Sequence, residues 1–215
     1  MLNKNEILSI IVVVIVLVFV VNLKMSINGK INYGFIFISS MFILLIILTN
    51  IITKKFAAEY FESKLDVKIW DLKRYGFRRE KYFKKPLPAG IIVPFLTSII
   101  SAGNFLWFAC FESNIESTSA RASKRHEIYK FTEMTDLHMS LIISSGVIAN
   151  LILAIIAYLI NIPELAKWNI YFAAYSLIPL GNLDGTKIFF GKIQIWFALV
   201  IITGIFLLYA LFLPM

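Results

Sequence analysis

From Ile7 to Val21 the chain runs without a charged residue, and the pattern returns at Gly34–Thr53, Leu87–Gly103, Met139–Ile160, Trp168–Leu180 and Ile195–Leu213. A helix needs roughly 20 apolar residues to cross a hydrocarbon core of about 30 Å, and several of these runs approach that length. Lipid offers no partner to a backbone N–H or C=O, so segments of this kind close their hydrogen bonds internally, as helices. Charged residues make up only 16% of the chain and the mean hydropathy is +0.80, against about a quarter charged in soluble domains. The expectation is an all-α polytopic membrane protein with five to six transmembrane helices.

The first run resembles a signal-peptide core, but Asn22-Leu23-Lys24-Met25-Ser26 offers no small-x-small cleavage site, so it reads as an uncleaved span. A polar link at Asn28-Gly29 joins it to the second. Residues 54–85 then hold eleven Lys/Arg against five Asp/Glu, interleaved with Trp70, Tyr75, Phe77, Tyr82 and Phe83, which suits a segment at headgroup level. Basic loops stay in the cytoplasm, so the Lys54–Lys85 loop and the N-terminus are placed inside, in a multi-pass protein of the cell membrane. The net charge of +8 collects beside membrane segments, where anionic lipid is the simpler partner and nucleic acid is not expected. There is no internal repeat. The chain divides into an N-terminal transmembrane hairpin, 1–53, a membrane core, 54–191, and a C-terminal transmembrane helix, 192–215.

Within that core, Pro179-Leu180-Gly181-Asn182-Leu183-Asp184-Gly185 places a carboxylate beside a membrane run. An Asp near a helix centre costs roughly 2.5 to 3.5 kcal/mol to insert, so such a residue points to a partner, an ion pathway or a metal. A second reading is that Asn182 and Gly185 form a helix-ending turn at the boundary, where an Asp is cheap.

These residues resemble the site-2 protease family of intramembrane zinc metalloproteases, over about two thirds of the chain. Leu183-Asp184-Gly185 matches the family's motif, in which the Asp is the third zinc ligand. Ser145-Gly146-Val147-Ile148-Ala149-Asn150 resembles its Gly-Pro-x-x-Asn stretch with Val147 for Pro, keeping Gly146 and Asn150. Ser176-Leu177-Ile178-Pro179 resembles its Asn-x-x-Pro with Ser176 for Asn, keeping Pro179. The resemblance implies a small membrane-associated β element, with Val67-Lys68-Ile69-Trp70 as a strand.

The His-Glu-x-x-His motif of that family is missing. Matching Leu65-Asp66-Val67 to the family's Tyr-Gly-Val puts Lys54 and Ala58 at the two His positions and Lys55 at the catalytic Glu. A register four residues later keeps Glu59 as a carboxylate and still loses both His; the first is preferred because it also aligns the strand. Two His four residues apart share a helix face and, with an Asp from another helix, leave a position for water. A protonated Lys cannot ligate, and its charge opposes a dication. The expectation is no catalytic residue, no metal and no cofactor, where active relatives carry zinc.

Nothing else substitutes. His126 sits among loop charges, His138 precedes a membrane helix, and Cys110 lies in an aromatic run without a neighbouring base. The reading is a catalytically inactive pseudoprotease that binds a transmembrane helix of a client or partner. Its rivals are an active metalloprotease with a non-standard metal site, and a transporter or ion pathway using Asp184.

Topology is where the two lines meet. If Leu87–Gly103 crossed fully, Asp184 would emerge on the side opposite Lys54. Pro88, Gly90, Pro94 and Gly103 favour a broken, re-entrant path that brings Asp184 back beside Lys54 or Lys55. The expected arrangement is five spans plus one re-entrant segment, N-terminus inside and C-terminus outside.

Overall fold

The computed structural model describes residues 3–27, 29, 32–74, 82–118 and 135–212. Tyr75, Phe77, Asn28 and His126, singled out above, lie outside them. The apolar runs fold as expected: α1 is Lys4–Ile27 and α2 is Tyr33–Tyr60. The Asn32 side chain starts α2 by accepting from the N–H groups of Gly34 and Phe35 at 3.0 and 3.3 Å. At 1.5 Å per residue α2 is about 42 Å long, longer than a hydrocarbon core. Lys54 therefore falls about 32 Å from its start, near the level where a membrane ends.

Glu62, at φ 52°, turns the chain from α2 into β1, Ser63–Ile69. A short ribbon follows, β2 (Leu72–Arg74) antiparallel to β3 (Tyr82–Leu87). Next come α3, Ala89–Ile100, and β4, Phe111–Ser117. β4 pairs antiparallel with β1 in a register that sets Val67 opposite Ser113 and Ile69 opposite Phe111. The expected strand is present, beginning at Ser63. Part of the stretch after the aromatic run, taken as loop in the sequence, is its partner: Glu112, Asn114 and Glu116 pair with Lys68, Asp66 and Lys64.

The chain then enters α4 (Asp136–Leu159), capped by Thr135, followed by α5 (Pro163–Ser176), α6 (Asp184–Gly191) and α7 (Ile193–Phe212). Among the described residues four helices are long and apolar enough to cross a membrane: Lys4–Ile27, Tyr33–Tyr60, Asp136–Leu159 and Ile193–Leu211. The run read as a span at Trp168–Leu180 folds as the last part of the 14-residue α5, about 21 Å long, and the start of the link that follows it. Pro163 sets its first turn, and the chain leaves the helix at Leu177 for the link to Asp184. α4 is the central element, lying against α2, α5 and α6, and half of its most apolar window is buried.

The segment between β3 and β4 is a hairpin. α3 runs alongside α1, with Phe95 stacked on Phe19 at 5.1 Å. It ends where Ala102 and Gly103, at φ 50° and 76°, reverse the chain. Gly103 lies against the Lys24 backbone; a Cβ there would come within 2.7 Å of the Lys24 nitrogen. Residues 105–110 return without helix, and both ends meet at Trp70, whose N–H donates to Cys110 O and whose C=O accepts from Gly90 N, each at 2.9 Å.

That meeting point depends on Gly90, where a Cβ would collide with the Cys110 carbonyl. Gly90→Ala should destabilise the protein by about 1–3 kcal/mol through overpacking, read as a lowered thermal midpoint in detergent. Gly204→Ala in α7, where nothing lies within 4 Å of the new carbon, should leave the midpoint unchanged or raise it.

Candidate functional site

One face of α2 is buried at Ile43, Ile46, Ile47, Asn50, Ile51, Lys54 and Ala58, the spacing of a helical stripe. Its apolar members join the core with Ile10, Val13 and Leu17 of α1. Asn50 and Lys54 are the polar interruptions, one turn apart, and both lie over Gly146 of α4. A Cβ at Gly146 would stand 2.5 Å from Lys54 Cε and 2.8 Å from Asn50 Nδ2. The missing side chain on α4 is the room that the lysine stem occupies.

Lys54 reaches Asp184, the first residue of α6. Its Nζ donates to Asp184 Oδ2 at 2.5 Å, and the two side chains are 2% and 5% exposed. The other oxygen, Oδ1, accepts from the backbone N–H of Ser113 in β4 at 3.1 Å. A carboxylate in the first turn of a helix also faces its positive end. Leu183, buried, leads into this turn, and Gly185 allows α6 to back onto Leu177, whose carbonyl a Cβ would strike.

The next residue of α2 turns elsewhere. Lys55 Nζ donates to Glu6 Oε2 of α1 at 2.7 Å, so the alternative pairing of Lys55 with Asp184 is not formed. Glu6, 3% exposed, also accepts from Asn3 N at 2.7 Å and, through Oε1, from Val67 N at 3.0 Å. Val67 and Ser113 share one rung of the β1–β4 ribbon, so each outer edge is closed at that rung by a buried carboxylate, Glu6 on one side and Asp184 on the other. Lys187 Nζ of α6 donates to the Ser113 carbonyl and completes the second edge. Burial pulls the Lys187 ammonium below the ordinary lysine range, against the opposing pull of Asp184 and Glu112. Glu112, 1% exposed, takes Lys68 at 2.9 Å and Asp71 N at 3.3 Å.

The remaining residues singled out in the sequence divide. Ala58 is buried on the Lys54 face, its carbonyl accepting from Ser63 Oγ at 2.9 Å. Asn150 is fully buried one turn beyond Gly146, with no partner for either side-chain atom among the described residues. Ser176 Oγ donates to Phe172 O at 2.8 Å. Pro179 is exposed in the link. Glu59, which the alternative register keeps, is exposed on another face of α2. His138 packs its ring on Phe61 at 4.8 Å. Cys110 is buried, and burial pushes its thiol up, away from nucleophilic use. Glu6 and Glu112 were not singled out. The only signal is a carboxylate just ahead of the first charge-free run and another just beyond an aromatic run.

Zinc does not fit these residues. Ala58 carries no donor atom, Lys54 presents an ammonium, and both Asp184 oxygens are engaged. No three His, Cys, Asp or Glu side chains come together for a metal among the described residues. Comparison with family models, with curated proteins and with solved structures finds no match.

Removing one partner of a buried pair strands the other charge, at about 3–5 kcal/mol. Lys54→Met and Asp184→Asn should each cost roughly that in detergent unfolding, and together much less than the sum. Additive losses would show that the pair contributes no coupling.

Proposed function

We propose that this chain is a site-2 protease-like membrane protein without proteolytic activity, a pseudoprotease that holds a membrane-embedded segment of a client or partner. The observation that carries the reading is the ammonium of Lys54 seated on Asp184. The resemblance assigns these two positions to ligands of one zinc ion, and they lie 130 residues apart in sequence. A residue at a ligand position that makes an ion pair with another ligand position supplies the positive charge a metal would. It supplies no Lewis acid and no activated water. Gly146, at a motif position, clears the space this lysine needs.

What remains is a binding surface. An apolar cavity of about 430 Å³ opens between the returning arm of the hairpin at Asn104–Leu106, Tyr171, Tyr175 and Ile178 on or beside α5, and Leu207 on α7. That volume falls in the range of ligand pockets, and its walls suit an apolar side chain of a client helix. In this reading Leu87–Gly103 is re-entrant, with both ends on the side of Lys54. The protein crosses the cell membrane five times, with α5 and its link to Asp184 forming the fourth crossing. The N-terminus and residues 54–85 face the cytoplasm, where their positive charge meets anionic lipid.

Two measurements test this. The purified protein should carry no stoichiometric zinc and cleave no membrane substrate, whereas Lys54→His combined with Ala58→His should gain about one zinc per chain, lost again on Asp184→Ala. Zinc in the unaltered chain, lost on Asp184→Ala, would contradict the pseudoprotease; failure of the double-His variant to bind would contradict the resemblance. Ser117→Cys in a Cys110→Ala background should resist an impermeant thiol reagent added to intact cells. Labelling from outside would show a true crossing by the hairpin.

A further inference from the structure

Beside Asp184 lies a small cavity whose walls include Asn50, Cys110, Phe172, Ser176 and Asp184 itself. It offers about 10 Å³ to the centre of a water-sized sphere, the space of a single water by that measure, for which about 10–15 Å³ suffices. Three of these residues are polar. Asn50 is 3% exposed, and its Nδ2 has no hydrogen-bond partner among the described residues. Each oxygen of Asp184 accepts one hydrogen bond, from Lys54 or from Ser113, and retains a second lone pair. Ser176 Oγ donates to Phe172 O and can still accept.

We propose that this cavity is a hydration site in the membrane-embedded core, binding one water molecule that bridges Asn50 of α2 to Asp184 of α6. The water donates one proton to the carboxylate and the second to Ser176 Oγ. With the Asn50 amide turned so that Nδ2 faces the cavity, the placing of its N and O being set by the hydrogen bonds they make, the side chain donates an N–H to the same water. That satisfies two to four hydrogen bonds, the number a buried water makes. It also accounts for the cost side, because a buried amide N–H left without a partner is penalised heavily where no solvent can reach it. The bridge completes the surroundings of Asp184: ammonium, backbone N–H and water, from α2, β4 and the cavity. The site stands on its own geometry and holds whether or not the chain is a pseudoprotease.

The test uses the full chain in detergent, with asparagine side chains labelled with ¹⁵N. A water-to-amide nuclear Overhauser cross-peak is expected at the Asn50 side chain, assigned by its loss in Asn50→Leu. The leucine variant also separates a wet cavity from a dry one. In a dry cavity the amide is an uncompensated polar group, and replacing it with an apolar side chain of similar size raises the thermal midpoint. In a hydrated cavity the same change removes a partner of the water and of Asp184, and the midpoint falls by roughly 2–4 °C. An unaltered chain with no water cross-peak at Asn50 would overturn the proposal, as would an Asn50→Leu midpoint at or above that of the parent. If the leucine variant does not fold, Asn50→Asp, which carries no side-chain amide, supplies the assignment, and the cross-peak in the unaltered chain decides.

Discussion

A charge inside a low-dielectric core cannot be left alone, and the arrangement of this protein around Asp184 follows from that constraint. Two unit charges a few ångströms apart attract far more strongly there than in water, yet each has lost its hydration. The pair is tolerable only when every remaining acceptor is used. Here Lys54, Ser113 N and the positive end of α6 converge on one carboxylate, which fastens α2, β4 and α6 to each other. A well-packed apolar replacement of the whole pair is often neutral or better, while loss of one member is not.

Glu6 plays the corresponding part on the other side of the ribbon. It joins α1 to Lys55 of α2 and to Val67 of β1. The edges of a two-stranded ribbon present unpaired N–H and C=O groups, which in other proteins invite pairing with a further strand. At the rung of Val67 and Ser113 both edges are instead occupied by side chains from helices. The ribbon is therefore held between α1 and α2 on one side and α6 on the other, and any strand added at this rung would have to displace Asp184 and Lys187. The apolar cavity beside α5 imposes no such exchange.

The hairpin at 89–110 makes the geometry possible. A chain that ran on here without reversing would carry β4 away from β1. The two arms return to Trp70 because Gly90 admits the Cys110 carbonyl, and Ala102 and Gly103 take up the left-handed backbone that reverses the chain. The prolines and glycines of this stretch are legible as breakers from the sequence alone. That they break the path into a return, and not into a kinked span, depends on β1 accepting β4 along seven registered residue pairs.

Hydrophobic runs without charge could become little other than membrane-length helices, because lipid leaves the backbone no other way to satisfy itself; α1, α2, α4 and α7 were readable for that reason. Asp184 was expected beside Lys54 or Lys55 through the resemblance alone, and the room that Gly146 leaves for the lysine stem was not legible before the helices were packed. The sequence could not decide which lysine would meet Asp184. Lys54 and Lys55 are adjacent, and on a helix adjacent residues diverge by about 100°, so only the placement of Glu6 on α1 assigns one to each carboxylate. Glu6, Glu112 and strand β4 stayed hidden because each is specified by a partner distant in sequence: Val67 and Lys55 for Glu6, Lys68 for Glu112, and β1 for the strand. The shortening of α5 was hidden as well, since apolar composition continues to Leu180 while the backbone turns away at Leu177 to carry Leu183 and Asp184 into the core. Local chemistry determined which segments enter the membrane, and tertiary contact alone decided which charges pair within it, because pairing depends on which helix faces come to lie side by side.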